Sequence, residues 1–491
     1  MTVREVLAGV SLKADLPQDL ALSAVRGIEY DSRRVGEGHL FFAFEGQYAD
    51  GRRFAADAIR RGAIAVVSES PRMEGFSGAW IEVEHGRHAL ALAARNFYGK
   101  LDERIAMTGM TGTNGKTTTG YLVDSILRVA GKTTALVGTI EYHLASRVLP
   151  AVNTTPESLD LHRILAELES VGGTHLTMEV SSHALALGRV YGLHFHTAVF
   201  TNLTRDHLDF HPTMEDYFLA KRLLFEGAGA PPPRFAILNR DDEYAARMPP
   251  ATVETLWYGL GKSATVRATD ISATIQGLRF TIEHGSTRLP IESTLMGRIN
   301  VYNILAACSA GFSYGLSPDT IARGIAACTA VPGRFERVDE GQPFAVVVDY
   351  AHTDDALRNT IATARELTAN RVITLFGCGG DRDRSKRPLM GRAAAEMSDF
   401  VILTSDNPRS EDPLDIINDA LVGLRRYDTP HVIEVDRATA IRRAIEQAQP
   451  GDVVILAGKG HETYQILKEG RISFDDREVA RQLLHSFGYR K

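Results

Sequence analysis

The sequence predicts an α/β protein of three domains with mostly parallel sheets, and two observations carry that expectation. With 491 residues the chain is too long for one ordinary core, so two to four domains are expected. Short runs rich in Val, Ile and Leu also recur along it, each ending in a polar or glycine-rich turn, with helical patterns between them. Examples are "RIAMTGMTG", "HLTMEVSSH", "TAVFTNLTRDH", "RFAILNRDD", "FAVVVDYAH", "RVITLFGCGG", "FVILTSDNP" and "DVVILAGKG". Apolar strands alternating with helices build sheets that are buried on both faces. In such sheets ligands bind beyond the carboxyl ends of the strands, which is where this chain puts its Gly, Asp, His and Arg residues.

Three blocks follow in order. Residues 1–100 carry "YDSRRVGEGHLFFAFEGQYADGRRF" and close in an alanine-rich helix pattern before "YGKLDER". Residues 101–337 open with "RIAMTGMTGTNGKTTTG" and end near "VPGRFERV". Within them, the alternating stretch between "LWYGLGKSATVRA" and "TRLPIESTLMG" predicts a small extra sheet. Residues 338–491 hold four strand-plus-turn units, and "PPP" at 231–233 reads as a loop.

Composition narrows the function classes. Apolar residues at 44% and charged residues at 24% are ordinary for a globular enzyme. A net charge of −6 and a pI near 6.3 argue against broad binding to nucleic acid or to anionic membrane, so an anionic ligand must be held by local clusters. Cys308, Cys328 and Cys378 form no C-x-x-C pair, which suggests neither a zinc knuckle nor a disulfide framework. The opening "MTVREVLAGVSLKADLPQDL" lacks the apolar core of a secretory signal, and no apolar run approaches the roughly 18 residues of a membrane span. A cytoplasmic location is expected.

"MTGTNGKTTTG", Met110–Gly120, reads as a phosphate-binding loop. After a strand, closely spaced glycines let backbone N–H groups converge on phosphates at the start of a helix whose dipole favours anions. Gly112, Thr113, Asn114, Gly115 and Thr118 supply the cradle, Lys116 reaches the β- and γ-phosphates, and the Thr117 hydroxyl faces Mg²⁺. Met110 stands where the strict G-x-x-x-x-G-K-[ST] motif has its first glycine. A magnesium site needs further oxygen ligands. Glu179 closes an otherwise apolar strand, and "TNLTRDHLDFH" adds Asp206, His207, Asp209 and His211 at the next strand end.

At this point the motifs match a family. "TGTNGKTTT", "NTTP" (153–156), "EVSSHAL" (179–185), "TNLTRDHLDFH", "YFLAKRLLF" (217–225), "GRINVYN" (297–303), "PGRFE" (332–336) and "DYAHTDDAL" (349–357) occur in order. Together they resemble the Mur ligases, ATP-dependent amino-acid-adding enzymes of bacterial peptidoglycan synthesis, over nearly the whole chain. The resemblance implies an N-terminal domain for the UDP moiety, a central P-loop ATPase and a C-terminal Rossmann-like domain for the incoming amino acid. It places Tyr30, Ser32, Gln47, Tyr48 and Ala49 on the uridine diphosphate. It places Asn153, Thr154, Thr155, Ser181, Leu187 and Arg189 on the muramoyl-peptide, with Leu187 standing where some relatives carry glutamine. Asn300, Arg334, Asp349 and His352 fall on the nucleotide side. Taken alone, "YFLAKRLLF" is a helix with a surface lysine; the resemblance implies instead that Lys221 is carbamylated and joins Thr117, Glu179 and His207 around the metal. Lys116, Lys221 and His207 are then the catalytic set.

The C-terminal turns bear on the amino acid. "FGCGGDRDRSKRP" (376–388), "TSDNPRSEDP" (404–413) and "AGKGHETYQ" (457–465) all lie at predicted strand ends. They offer Arg382 and Arg409 to carboxylates, and Asp406, Asn407 and Glu462 to ammonium groups. Arginine's planar fork matches a carboxylate bidentately. Alone, D-N-P-R is a proline turn with a solvated arginine. Within the family it resembles the signature of members that add meso-diaminopimelate to UDP-N-acetylmuramoyl-L-alanyl-D-glutamate, which implies that Arg382, Asp406, Asn407, Pro408, Arg409, Gly458 and Glu462 bind the diamino acid. The expected partners are these two substrates, ATP and Mg²⁺, with neither nucleic acid nor membrane, and the chain is expected to act as a monomer. The rival readings are a lysine-adding ligase, a folylpolyglutamate-synthase-type ligase and a decayed, non-catalytic nucleotide-binding protein. The N-terminal block and D-N-P-R argue against the second, and the presence of Lys116, Thr117, Glu179, His207 and Lys221 against the third.

Overall fold

The computed structural model describes residues 1–46, 50–248 and 252–491. Gln47, Tyr48 and Ala49, expected at the uridine diphosphate, lie outside the described residues. Three sheets carry the architecture. The first is a four-stranded parallel sheet, Gly27–Glu29, His39–Phe42, Ala65–Ser68 and Trp80–Glu82, in chain order. The alanine-rich helix Gly86–Phe97 packs its Ala89, Leu90, Ala93 and Ala94 against the core that this sheet forms.

The central sheet has eleven strands. Its parallel middle runs Glu254–Gly259, Phe235–Asn239, Thr197–Phe200, Ala106–Thr111, His175–Glu179 and Thr134–Val137. The hairpin Glu141–Leu144 and Arg147–Pro150 extends one edge. The stretch expected as a small extra sheet is an antiparallel meander, Val266–Thr274, Gly277–His284 and Thr287–Ser293. It is hydrogen-bonded to the other edge through the Tyr258–Val266 and Gly259–Arg267 pairs. Phe195, Ala198 and Phe200 pack on one face of the middle strands, while Met110, Val199 and Ile237 pack on the other with helices Lys116–Val129 and Ile299–Ser313.

The third sheet runs Glu336–Val338, Ala345–Asp349, Val453–Ala457, Val372–Phe376, Phe400–Leu403 and His431–Ile433, parallel apart from its first strand. Its alternation is read on both faces. Val346, Val348, Ile373, Leu375, Val454 and Leu456 face helices Arg437–Gln447 and Asp476–Ser486. Ala345, Val347, Val372, Val453 and Ile455 face helices Asp354–Leu367, Lys386–Met397 and Pro413–Leu424. Each fully buried Val, Leu or Ile is worth roughly 1.5–3 kcal/mol over its exposed state, which makes this two-sided burial the main support of the sheet. A two-stranded hairpin, Tyr464–Leu467 and Gly470–Ser473, completes the strands.

The three units meet through polar contacts that frame the site. On the N-terminal side Tyr30 donates to Asp160 (2.5 Å), and Arg163 pairs with Glu29. On the C-terminal side Asp355 accepts from Asn114 (3.1 Å) and Thr204 (2.8 Å), and Lys386 reaches Asp206 at 3.0 Å. No helix among the described residues is long and apolar enough to cross a membrane.

Candidate active site

The phosphate loop joins strand Ala106–Thr111 to helix Lys116–Val129. Gly112 has φ +146° and Gly115 φ +87°; a Cβ on Gly112 would lie 1.9 Å from Thr201 Oγ1, and one on Gly115 2.4 Å from Asn303 Oδ1. Both positions therefore require glycine. Met110 departs from the strict motif because it is still strand, paired with Val199 and Glu179 and sealed in the core. The turn begins two residues later. Thr201 and Asn202, which open the "TNLTRDHLDFH" motif, clamp the loop. Thr113 N donates to Asn202 O (2.8 Å), Asn114 N to Asn202 Oδ1 (2.9 Å) and Thr201 Oγ1 to Asn114 O (2.6 Å).

Lys116 curls back onto its own loop, its ammonium donating to the carbonyls of Gly112 and Thr113 at 2.9 Å each. Burial pushes its pKa down, with Glu179 acting against that shift. Lys221 Nζ donates to the same Gly112 carbonyl at 2.9 Å and lies 4.4 Å over the Tyr217 ring. The surface-lysine reading of "YFLAKRLLF" does not hold, since Lys221 is 1% exposed. The cause is helical spacing. Helix Met214–Glu226 starts at a Thr213–Asp216 capping box and buries Tyr217, Phe218, Lys221, Leu224 and Phe225. Lys221 is four residues from Tyr217 and three from Leu224, on the apolar stripe itself. Burial drives its pKa well below that of an ordinary lysine, with the Lys116 charge adding to the effect.

Glu179 ends strand His175–Glu179 buried among hydroxyls. Oε1 accepts from Thr117 Oγ1 and from Thr139 N, both at 2.9 Å, and Oε2 accepts from Thr139 Oγ1 at 3.0 Å. Thr117 Oγ1 also accepts from Arg334 Nη2 at 3.1 Å, which ties the following unit to the loop. His207, with φ +54°, stands 3.5 Å from Asp206, and burial lowers its pKa to about 4. Burial works to raise Asp206, but His207 and Lys386 together hold it well below the carboxylate range. Asp209 and His211 do not reach the cleft. The chain turns back after His207, His211 N bonding to His207 O at 2.9 Å, which leaves Asp209 in solvent and His211 buried beside it. His183, unflagged in the sequence, takes their place in the cleft wall, 4.9 Å from the His207 ring.

These groups line one cleft of about 480 Å³. Of the residues named from the sequence, it brings together Thr113 to Thr118, Asn153, Thr154, Thr155, Glu179, Ser181, Arg189, His207 and Lys221 with Asn300, Arg334, Asp349 and His352. Gly112 does not line it, but its carbonyl accepts from both Lys116 and Lys221. Asn300 Oδ1 accepts from Asn303, and Asp349 accepts from Phe335 N (2.7 Å), Ala351 N (2.9 Å) and Thr360 (3.0 Å). Burial raises the Asp349 pKa despite the nearby Arg334. Arg189 donates to Thr155 O and to Glu157, each at 3.0 Å. Leu187 caps the short helix Ser182–Ala186 and does not line the cleft, and neither do Tyr30 or Ser32, which lie on the N-terminal unit.

The three C-terminal turns form a separate cluster at the ends of strands Val372–Phe376, Phe400–Leu403 and Val453–Ala457. Gly380 N donates to Asn407 O at 2.9 Å, and Arg409 Nη1 donates to Gly380 O at 2.8 Å. A Cβ on Gly379 would lie 3.1 Å from Arg409 Nη1 and 3.7 Å from Arg382 Cγ, and one on Gly458 2.6 Å from Asp406 Oδ2. Arg382 is exposed, Arg409 half-buried, and Asp406, Asn407 and Pro408 buried. The Asn407 side chain is used internally: Nδ2 donates to Glu462 Oε2 (2.8 Å) and Oδ1 accepts from Ile466 N (2.9 Å). The Gly458–Glu462 turn abuts the cleft, since a Cβ on Gly460 would meet Tyr350 Cβ at 2.6 Å and one on Gly333 would meet His461 N at 2.0 Å.

Comparison with known proteins places the chain in a family. The chain matches the Mur ligase family catalytic domain over residues 24–98, the Mur ligase middle domain over 110–311 and the Mur ligase glutamate ligase domain over 333–460. The chain belongs to the Mur ligase family. This Mur ligase is 67% identical over 490 residues, covering 100% of the chain and 99% of the relative, to the UDP-N-acetylmuramoyl-L-alanyl-D-glutamate--2,6-diaminopimelate ligase of Solibacter usitatus (strain Ellin6076). It is 48% identical to the ligase of the same name from Geobacillus kaustophilus (strain HTA426), over 94% of the chain and 95% of that relative. A solved structure of a UDP-N-acetylmuramoyl-L-alanyl-D-glutamate--2,6-diaminopimelate ligase superposes with a TM-score of 0.72 at 33% identity, covering 99% of this chain and 100% of that one.

Proposed function

We propose that this Mur ligase adds meso-diaminopimelate to the D-glutamyl carboxylate of UDP-N-acetylmuramoyl-L-alanyl-D-glutamate at the expense of ATP, in the cytoplasm, as a step of peptidoglycan precursor synthesis. The observation that carries the reading is the pairing of two sites. A phosphate-loop cleft containing Glu179 and Lys221 adjoins a cluster of three turns that carries Arg382 and Arg409 on one side of Gly379 and Asp406 and Glu462 around Lys459. The 67% identical relative of that name supports it. In this reading residues 1–100, with Tyr30, Ser32 and Gln47 to Ala49, hold the uridine diphosphate; residues 101–337 bind ATP and the muramoyl-peptide; and residues 338–491 present the amino acid.

A carboxylate is a poor electrophile, so direct attack by an amine fails. Transfer of the γ-phosphoryl group to the D-glutamyl carboxylate gives ADP and an acyl phosphate; the free amine then attacks the acyl carbon, loses a proton and expels phosphate. Such transfer depends mainly on positioning and charge neutralisation. The loop N–H groups cradle the phosphates, and Lys116 leaves the Gly112 and Thr113 carbonyls to meet them. Asn300, Arg334, Asp349 and His352 fix the nucleotide at the junction, while Asn153, Thr154, Thr155, Ser181 and Arg189 orient the peptide. His207 acts near the reacting phosphate and is not assigned as a base.

The donors in the cleft fit magnesium. Among the described residues no three His, Cys, Asp or Glu side chains form a metal site by themselves, but Glu179 and Thr117 present hard oxygens. Burial disfavours the charged form of the Lys221 amine, and the neutral form is the one that adds to carbon dioxide to give a carbamate with two more oxygens. Thr117, Glu179, His207 and carbamylated Lys221 would hold Mg²⁺, which supplies neutralisation of the phosphate charge. The experiment is phosphate release with one substrate omitted at a time. Release that needs ATP, the muramoyl-dipeptide nucleotide and diaminopimelate together supports the reading, and release with glutamate and a folate in their place overturns it.

A further inference from the structure

Between Gly458 and Gly460, both at positive φ (+110° and +52°), lies Lys459, which is completely sealed from solvent. Its ammonium is 3.0 Å from Glu462 Oε2, 3.2 Å from Asn407 Oδ1 and 3.7 Å from Asp406 Oδ1. Asn407 closes the ring by donating to the same Glu462 oxygen. A charge without water must be compensated inside the protein, and here two carboxylates compensate one ammonium. Their outward oxygens are unspent: among the described residues Glu462 Oε1 accepts no hydrogen bond, and neither does the Asp406 carboxylate. The pair thus keeps one negative charge for a ligand, next to Arg409, whose guanidinium favours a carboxylate.

We propose that Lys459 is a positioning and specificity-determining residue, an internal ammonium that fixes Glu462, Asp406 and Asn407 and takes one of their two charges. The site then matches a ligand end carrying one ammonium and one carboxylate. Without Lys459 the cluster carries an additional negative charge, which repels the ligand carboxylate and favours an end bearing only an ammonium. The inference rests on the amino-acid site proposed above. It concerns a residue that does not itself touch the ligand.

The test compares meso-diaminopimelate with L-lysine, whose side chain ends in an ammonium alone, in wild type and in Lys459→Met. The variant is expected to raise the diaminopimelate KM at least tenfold, to leave the ATP KM within twofold, and to lower the diaminopimelate-to-lysine ratio of kcat/KM at least tenfold. Lys459→Gln keeps hydrogen bonds to Asn407 and Glu462 while removing the charge, so it should show the same loss of ratio if Lys459→Met does not fold. Lys459→Arg, which keeps the charge, should hold the ratio within about threefold of wild type. A merely structural role would weaken both amino acids equally. An unchanged ratio in either folded neutral variant overturns the proposal. No diaminopimelate-dependent turnover in the wild type would overturn the proposed function instead, so the two failures are distinct.

Discussion

Arg409 combines the proposed ligand contact with a strained backbone, and substitution can separate them. Its φ is +55°, a region that costs a residue with a Cβ roughly 1–2 kcal/mol. Nη1 is committed to the Gly380 carbonyl at 2.8 Å, with Asn407 O 3.4 Å away, while Nε and Nη2 have no partner among the described residues. Two free donors in one plane match the two oxygens of a carboxylate. Truncating a desolvated charge-paired contact costs about 2–5 kcal/mol; because Arg409 is half-buried, the lower half of that range applies. Two to three kcal/mol corresponds to a rise of roughly 30- to 150-fold in the diaminopimelate KM for Arg409→Ala. Arg409→Gly loses the same contact but relieves the backbone, so it should fold about 1 kcal/mol more stably than the alanine variant. The assay is phosphate release against diaminopimelate concentration at saturating ATP and nucleotide-peptide, with the ATP KM measured in parallel and unfolding midpoints for both variants. A diaminopimelate KM unchanged in Arg409→Ala, or one that rises in step with the ATP KM, would refute the reasoning.

Three further outcomes are expected. Lys221→Ala should lose activity by about 10²–10³-fold, and added acetate should restore part of it by supplying the missing carboxylate; wild-type activity without acetate would contradict carbamylation. Arg437 and Asp476 form a fully buried pair at 2.6 Å, and Arg437 also donates to Ser405 O and Ala457 O. Asp476→Ala, which strands that guanidinium, should destabilise the chain by about 3–5 kcal/mol, as read from urea unfolding, and should also loosen the D-N-P-R turn. His162 is buried with both ring nitrogens unpartnered, and burial lowers its pKa to about 4. The unfolded chain takes up this proton near pH 6.5 and the folded chain only near 4. Stability is therefore complete above 6.5 and falls by about 3 kcal/mol as pH drops through that window. His162→Leu should flatten the decline in urea midpoint by that amount, and an unchanged slope would count against it.

Much of the fold was legible because its strands are long apolar runs with abrupt polar ends, as in Val372–Phe376 and Val453–Ala457. Strand His431–Ile433 was not legible because it is three residues at a sheet edge, exposed at His431 and Ile433, with no long apolar run to mark it. In the cleft, Glu179 was legible as a carboxylate ending an apolar strand. Lys221 could have been found by counting turns, since it falls on the buried stripe of its helix. Asn303 and Asp355 fall inside the "GRINVYN" and "DYAHTDDAL" motifs, but their contacts were not legible there, and Thr139 lies in no motif at all. Asp355 meets Asn114 across 241 positions of sequence, and no local pattern encodes such a contact. Lys459 lies inside the "AGKGHETYQ" turn with no pattern to mark it, and only the packing of Asn407 and Glu462 around it shows that it is buried.

The central claim is that the C-terminal turns select a diamino dicarboxylate for ligation to the muramoyl-dipeptide. It is tested most directly by giving the wild-type chain ATP, Mg²⁺, UDP-N-acetylmuramoyl-L-alanyl-D-glutamate and equal concentrations of meso-diaminopimelate and L-lysine, and weighing the products by mass spectrometry. The account predicts a product that carries diaminopimelate with little or no lysine adduct. Equal amounts of the two adducts would contradict it.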